Sequence, residues 1–236
     1  MWESTVDGRV LHFHLAGINN QNFIMRDEET GSWWQQVTGE CVLGPLKGRR
    51  LKLSDFDELT FAEWKREGPV GRVLRPDPRV EAAGRYAPPD WEQRMTRVPV
   101  ATTLAEPNAL LPARTLVVGV QAGGASKAYP SDALRKQSPV VDTVGDVPVL
   151  VLLAEDGKSV RAFDRRLDGR ALELFRREDS PSLVDAETGS SWDFTGRAVE
   201  GALAGRRLEK IPSLKDYWFD WLAYHPDTGV YLLGEQ

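Results

Sequence analysis

Asp27-Glu28-Glu29-Thr30-Gly31-Ser32-Trp33-Trp34 returns further along the chain as Asp185-Ala186-Glu187-Thr188-Gly189-Ser190-Ser191-Trp192. The surrounding residues return with it. Asp7-Gly8-Arg9 and Leu11 match Asp168-Gly169-Arg170 and Leu172, while Thr38-Gly39, Gly44, Leu46 and Gly48-Arg49-Arg50-Leu51 match Thr195-Gly196, Gly201, Leu203 and Gly205-Arg206-Arg207-Leu208. Phe61 and Trp64 fall opposite Trp218 and Trp221. Order and spacing hold with small gaps, the signature of an internal duplication. Val10 to Leu15 and Ala171 to Phe175 alternate as strands do. Asp-x-Glu-Thr-Gly-Ser is turn chemistry: the Asp folds back on its own backbone and Gly takes the positive φ of a tight hairpin. Trp34 and Trp192 open the returning strands and are predicted to anchor the core. The glycines of Gly39 to Leu51 and Gly196 to Leu208 predict bulges and sharp bends.

Working outward, the second copy begins near Arg114. Strands are predicted at Thr115 to Gln121, Val147 to Ala154 and Val160 to Arg165, with a short helix at Ser131 to Gln137 behind Tyr129-Pro130. The first copy has no room for these elements. Its open sheet edge is therefore expected to be covered by the second copy or by another chain. Leu214 to Tyr224 is read as one helix, because Tyr217, Trp218, Trp221 and Leu222 share a face; Ser213 is its N-cap and Asp216 part of a capping box. Between the copies, Pro76, Pro78, Pro88, Pro89, Pro99, Pro107 and Pro112 preclude long regular structure. The expected organisation is residues 1–76 as a first repeat unit shortened at its N-terminus, 77–112 as a wrapping linker anchored by Trp91 and Met95, and 113–236 as a complete second unit. The fold class is mainly β with a few short helices, as two related small barrel or sandwich units.

The chain has 236 residues and a formal charge of -5, with Lys and Arg scattered among Asp and Glu. No basic stripe is present to meet phosphates, which argues against nucleic acid. Eight tryptophans and eight phenylalanines supply apolar surface for a core. Its one cysteine, Cys41, rules out an intramolecular disulfide and a cysteine-built metal site within one chain. The longest apolar run, near Val147 to Ala154, falls far short of the ~20 residues of a spanning helix, so no membrane span is expected. Met1-Trp2-Glu3-Ser4 lacks the blocks of a signal peptide. As written the chain is expected in the cytoplasm, or outside it if the N-terminus is incomplete.

Leu11 to Phe23, Arg26 to Gln36, Gly44-Pro45-Leu46-Lys47-Gly48-Arg49, Ala128-Tyr129-Pro130 and Tyr224-His225-Pro226-Asp227-Thr228 resemble a bacterial family called domain of unknown function 3179. The resemblance covers nearly the whole chain and implies no activity. Members of that family commonly carry a Cys-x-x-Cys-Gly segment upstream of the first repeat. The sequence begins after that point, so a redox or metal role resting on those cysteines is not expected from these residues.

Two places in the sequence offer chemistry beyond the repeat. His12 and His14 alternate on one predicted strand and so share a face; Met25 and Cys41 add soft sulfur, a set that would favour copper among transition metals. The competing reading is a solvated strand face with hydrogen-bonded imidazoles, since the second copy has Glu173 and Phe175 there. Asn19, Asn20 and Asn22 form an amide cluster that either reads a polar ligand or caps a turn. One arginine of each pair Arg49-Arg50 and Arg206-Arg207 has the geometry to clamp an anion bidentately, but recurrence in both copies favours a structural job, such as pairing with Asp27 or Asp185 across a hairpin. Cys41 is read as a buried thiol and His225 as a helix cap. No phosphate loop, zinc-protease helix, nucleophile elbow or zinc-finger spacing occurs.

These residues lead to a binding or assembly protein, without a recognisable catalytic motif, that holds a small ligand, metal or partner chain between two β units beside His12, His14 and the amide loop. A metal- or thiol-dependent redox enzyme and a structural subunit of a larger complex are the alternatives. A homo-oligomer or partner subunit covering the shortened first unit is expected.

Overall fold

A computed structural model describes residues 1–19, 22–84, 86–95, 97–100, 110–177 and 182–234. The chain opens with a two-stranded hairpin, β1 (Thr5–Val6) and β2 (Arg9–Val10), and continues into a four-stranded antiparallel sheet in sequence order. That sheet comprises β3 (Phe13–Asn19), β4 (Asn22–Asp27), β5 (Trp33–Gln35) and β6 (Cys41–Leu43). Its core is Trp34 and Cys41, both fully buried, with Val6, Leu11 and Leu51; Trp2, Phe13, Met25 and Leu46 pack around them. Three short helices follow, α1 (Phe61–Glu67), α2 (Pro78–Ala82) and α3 (Trp91–Met95). Pro78 is at a helix start, where its missing N–H costs nothing. Trp91 is exposed, so it does not anchor this segment as expected.

The rest is a stack of sheets. β7 (Leu116–Ala122) and β8 (Ala125–Pro130) form a hairpin, α4 (Ser131–Lys136) follows, and β9 (Val140–Val144), β10 (Val147–Leu153) and β11 (Val160–Asp164) make a meander. The hairpin β12 (Arg166–Leu167) and β13 (Arg170–Ala171) leads into a second four-stranded sheet of β14 (Leu174–Arg176), β15 (Leu183–Asp185), β16 (Ser191–Trp192) and β17 (Ala198–Glu200). β18 (Glu209–Ile211) joins the edge of β11, and β19 (Ser213–Tyr217) joins the edge of β7. Helix α5 (Trp218–Tyr224) and β20 (Gly229–Val230), parallel to β8, complete the fold.

Strand alternation decides which layer each side chain fills. On β10, Val149 and Val151 face Val118, Val120 and Tyr129, whereas Leu150 and Leu152 face Leu174, Leu183 and Trp192. On β7, Val117 turns the other way and meets Trp218 and Trp221 of α5. The order of layers is thus α5, the β7–β8 sheet, the β9–β11 sheet and the β14–β17 sheet. The chain is mainly β, as expected, but the sheets are open and none closes into a barrel.

The first four-stranded sheet and the β14–β17 sheet are held by the same bonds. Trp34 Nε1 donates to Asp27 Oδ2 at 2.8 Å, and Trp192 Nε1 to Asp185 Oδ2 at 2.8 Å. Thr30 and Thr188 donate backbone N–H to those carboxylates, at 2.6 Å in each case. Ser32 Oγ accepts from Leu46 N and Ser190 Oγ from Leu203 N. Asp7 and Asp168 both take positive φ, 48° and 50°, ahead of a glycine. The arginine pairs do not reach Asp27 and Asp185 as expected. Those carboxylates are saturated by N–H and O–H donors, and Arg49 and Arg206 instead pair with Asp7 and Asp168 at the hairpin tips.

Candidate functional site

The segment after β6 crosses onto the stacked sheets. Asp57 and Glu67 grip Arg161 at 2.9 and 2.6 Å, and that guanidinium lies over Phe194. Thr60 caps α1 and bonds through its N–H and Oγ to Ser159 and Asp156. Glu58 forms a β-bridge with Val160, and its carboxylate accepts from Lys215 N at 2.8 Å. Higher up, Asn22 at the start of β4 donates to Asp220 Oδ1 at 2.5 Å, and Gln35 of β5 donates to the Tyr224 hydroxyl at 3.3 Å. Between these two sets of contacts lies a cleft of about 1070 Å³. Trp2 and Phe56 line one side, Trp221, Tyr224 and His225 another, and Asp216 and Asp220 sit in its wall.

The strand-to-helix junction builds that wall. The sequence reading made Leu214 to Tyr224 one helix; residues 213–217 are instead β19, antiparallel to β7 with Asp216 opposite Val117. A free strand edge on β7 outweighs the helical spacing of the aromatics, and the helix starts only at Trp218, with Tyr217 rather than Ser213 as its N-cap. Gly119 of β7 has no side chain, and a Cβ there would meet the Trp221 ring at 2.2 Å. That absence seats α5 against the sheet and turns Asp220 toward Asp216.

Asp216 and Asp220 sit close enough together in the cleft wall for their carboxyl groups to act on one another. Two carboxylates this near repel each other, which favours a proton on the pair. Burial pushes the Asp216 carboxyl up, to about 8, and the charges of Asp220 and Glu58 add to it. Burial also raises Asp220, against the hydrogen bonds from Asn22 and Asp216, which favour its ionised form. Both carboxyls are thus pushed toward the protonated form. The nearby side-chain cations are engaged elsewhere: Arg50 pairs with Glu40, the Lys215 amine bonds the Lys158 carbonyl, and Lys210 and Arg161 pair with Asp57, while the Met1 amine lies near Glu58. Burial raises Tyr224, followed by the charge of Asp220. His225 is the C-cap of α5, donating its N–H to Trp221 O, and burial lowers its imidazole. Its ring lies on Trp221 and meets Gln121 Nε2 at 2.9 Å.

Of the residues singled out in sequence, Asn22 lines this cleft. Asn19 is exposed opposite it on β3, and Asn20 lies outside the described residues. His12 and His14 do not share a strand face, because β3 starts at Phe13. His12 is exposed and bonds Glu29 at 2.5 Å, which raises its imidazole; His14 is exposed on β3. Met25 packs on the first core, and Cys41 is sealed inside it, its thiol raised by burial. His12, His14, Met25 and Cys41 are thus split between solvent and core. Among the described residues no group of three or more His, Cys, Asp or Glu is arranged to hold a metal.

Sequence reasoning missed Asp216 and Asp220. Two acids four residues apart, each beside an aromatic in Asp216-Tyr217-Trp218-Phe219-Asp220-Trp221, were the available signal. Among the described residues no helix is long and apolar enough to cross a membrane. The family described as "Protein of unknown function (DUF3179)" matches residues 1–228. No curated protein and no solved structure matches the chain.

Proposed function

The chain belongs to the DUF3179 family, whose function is unknown, and on that premise we propose that it is a binding protein for a small polar ligand held in the cleft between its first sheet and α5. The observation that carries this is the Asp216–Asp220 pair, placed in the wall of a cleft about 1070 Å³ in volume and bonded from the opposite side by Asn22. That volume suits a small molecule. Asp216, Asp220 and Glu58 offer acceptor oxygens there, so the ligand presents N–H or O–H groups to them. Its apolar part lies along Trp2, Phe56 and Tyr224. A buried acid pair lowers stability, and such groups gather where a protein does its work. The shared bonds of the β3–β6 and β14–β17 sheets support the companion reading that they are copies of one unit.

Thermal unfolding with putrescine, glucose and acetate as probes tests the binding reading. Ligands stabilise by binding the folded state. The donors putrescine or glucose are expected to raise the melting temperature, and less so in Asp220→Asn; acetate is expected to leave it unchanged. A melting temperature indifferent to both donors contradicts the reading.

A second reading, in which another copy of the chain covers the first sheet, is favoured by Leu15, Ile18 and Phe23, which are 60, 68 and 46% exposed on the β3–β4 hairpin. Sedimentation equilibrium is then expected to show a dimer that Ile18→Asp dissociates; a monomer at every concentration contradicts it.

A further inference from the structure

The cleft does more than hold a ligand if its two acids, Asp220 buried and Asp216 half-buried, act as reacting groups. Asp216 lies on β19 and Asp220 in the first turn of α5, so their separation is fixed by two packed elements. Asn22 reaches Asp220 from β4 and occupies one of its oxygens. The cleft is open to solvent, which supplies water. Two carboxyl groups sharing one proton can give that proton and take another in the same step.

We propose that Asp216 and Asp220 are a general acid–base pair for hydrolysis of a small carboxylic ester or amide bound in the cleft. Asp220 removes a proton from a water molecule, whose oxygen forms a bond to the carbonyl carbon. The carbonyl π electrons move to its oxygen, which takes the proton of Asp216. The tetrahedral diol then collapses. Asp220 returns its proton to the leaving oxygen or nitrogen as the bond from carbon breaks, and Asp216 recovers a proton from one hydroxyl as the C=O re-forms. Water is the only co-reactant, and the pair ends as it began.

The charged groups facing the pair set its pH dependence. Glu58 faces Asp216 from the segment before α1, and Tyr224 faces both acids from α5. Asp57, Lys215, Arg50 and His225 line the cleft around them, and the Met1 amine lies near Glu58. Negative neighbours hold the shared proton, so the acid form persists through neutral pH and is lost as pH rises past about 8. Asn22 is a positioning residue: its amide favours ionised Asp220.

The proposal rests on the binding reading, and one experiment separates them. The intact chain is given p-nitrophenyl acetate, and nitrophenol release is followed from pH 5 to 9. Saturable release beyond one equivalent per chain is expected, failing above about pH 8. It should fall at least ~100-fold in Asp216→Asn and in Asp220→Asn, both near-isosteric and checked by circular dichroism. Asn22→Ala should move the acid limb of the profile upward, a shift that loss of packing alone would not produce. Binding of the slower amide p-nitroacetanilide is followed in parallel by its shift of the melting temperature. Release that is absent, stoichiometric only, or unchanged in both Asn variants overturns the proposal. If the amide still binds, the binding reading stands; if it does not, both fall.

Discussion

The β3–β6 sheet and the β14–β17 sheet share a framework and differ in reach. In each, a buried aspartate accepts from a buried tryptophan indole, a threonine closes the turn, and a serine oxygen holds the following loop. The strands before the turn differ. β3 and β4 run to seven and six residues, whereas β14 and β15 have three each. Among the described residues, the longer hairpin is the one that sets a side chain, Asn22, on Asp220. The recurring residues build each sheet, and the added length of β3 and β4 places one polar side chain in the cleft. Residues common to both sheets are therefore explained by stability, and those unique to the first are where function is to be sought.

The comparison is sharpest at the tryptophans. Trp34→Ala and Trp192→Ala each empty a fully buried site and are expected to cost about 3–5 kcal/mol in urea unfolding. Similar losses support equal framework roles; a loss at only one site breaks the equivalence. Asp27→Ala and Asp185→Ala leave a buried indole N–H without its acceptor, at about 1–3 kcal/mol each. Burial pushes both carboxyls up, but the hydrogen bonds from Trp34 or Trp192 and from the turn outweigh it, so both lie below their ordinary 3.8. Their stabilisation is present above pH 3.8 and is lost as pH falls through the lowered folded values. Acid unfolding of the wild type should thus be steeper than that of either alanine variant.

Asp216→Asn should move stability in the opposite direction. A carboxyl raised by folding contributes stability that is complete below its unfolded value of 3.8 and is lost as pH rises toward the folded one. Asparagine carries no such loss. The variant should match the wild type near pH 4 and exceed it at pH 8 by roughly 1–3 kcal/mol, about 2–4 °C in Tm per kcal/mol for a chain of this size. A melting curve showing Asp216→Asn less stable at pH 8 would count against the buried acid pair. The smallest effect is expected from His12→Ala. This exposed pair with Glu29 has no counterpart acting through histidine in the second sheet, and solvent screening leaves its loss with little effect on the melting temperature.

Much of this architecture is legible in the sequence, and the reasons are local. Val117 to Val120 and Val149 to Leu152 are buried on both faces and read as strands from their apolar runs alone. Tyr129-Pro130 announces α4, and the turn motif announces Asp27 and Asp185. The cleft is not legible, because it depends on long-range pairing. Asp216 looks like a capping residue in a helix until β7 offers β19 an edge to pair with. His12 and His14 look like a shared face until Leu11 and His12 leave the strand. Asn22 was visible as one of several amides, but nothing in its neighbours foretells Asp220, far along the chain. Cys41 was legible as a core thiol, because a small apolar strand residue between glycines has few other places to go.

Carbon-13 NMR of the aspartate carboxyls, titrated from pH 3 to 9, bears most directly on the cleft. One aspartate should keep its proton through neutrality and release it near pH 8, and Asp220→Asn should bring that signal down toward the ordinary range. Were every aspartate to titrate near or below 3.8 in the folded wild type, no proton would be shared between β19 and α5, and the account of the cleft would be wrong.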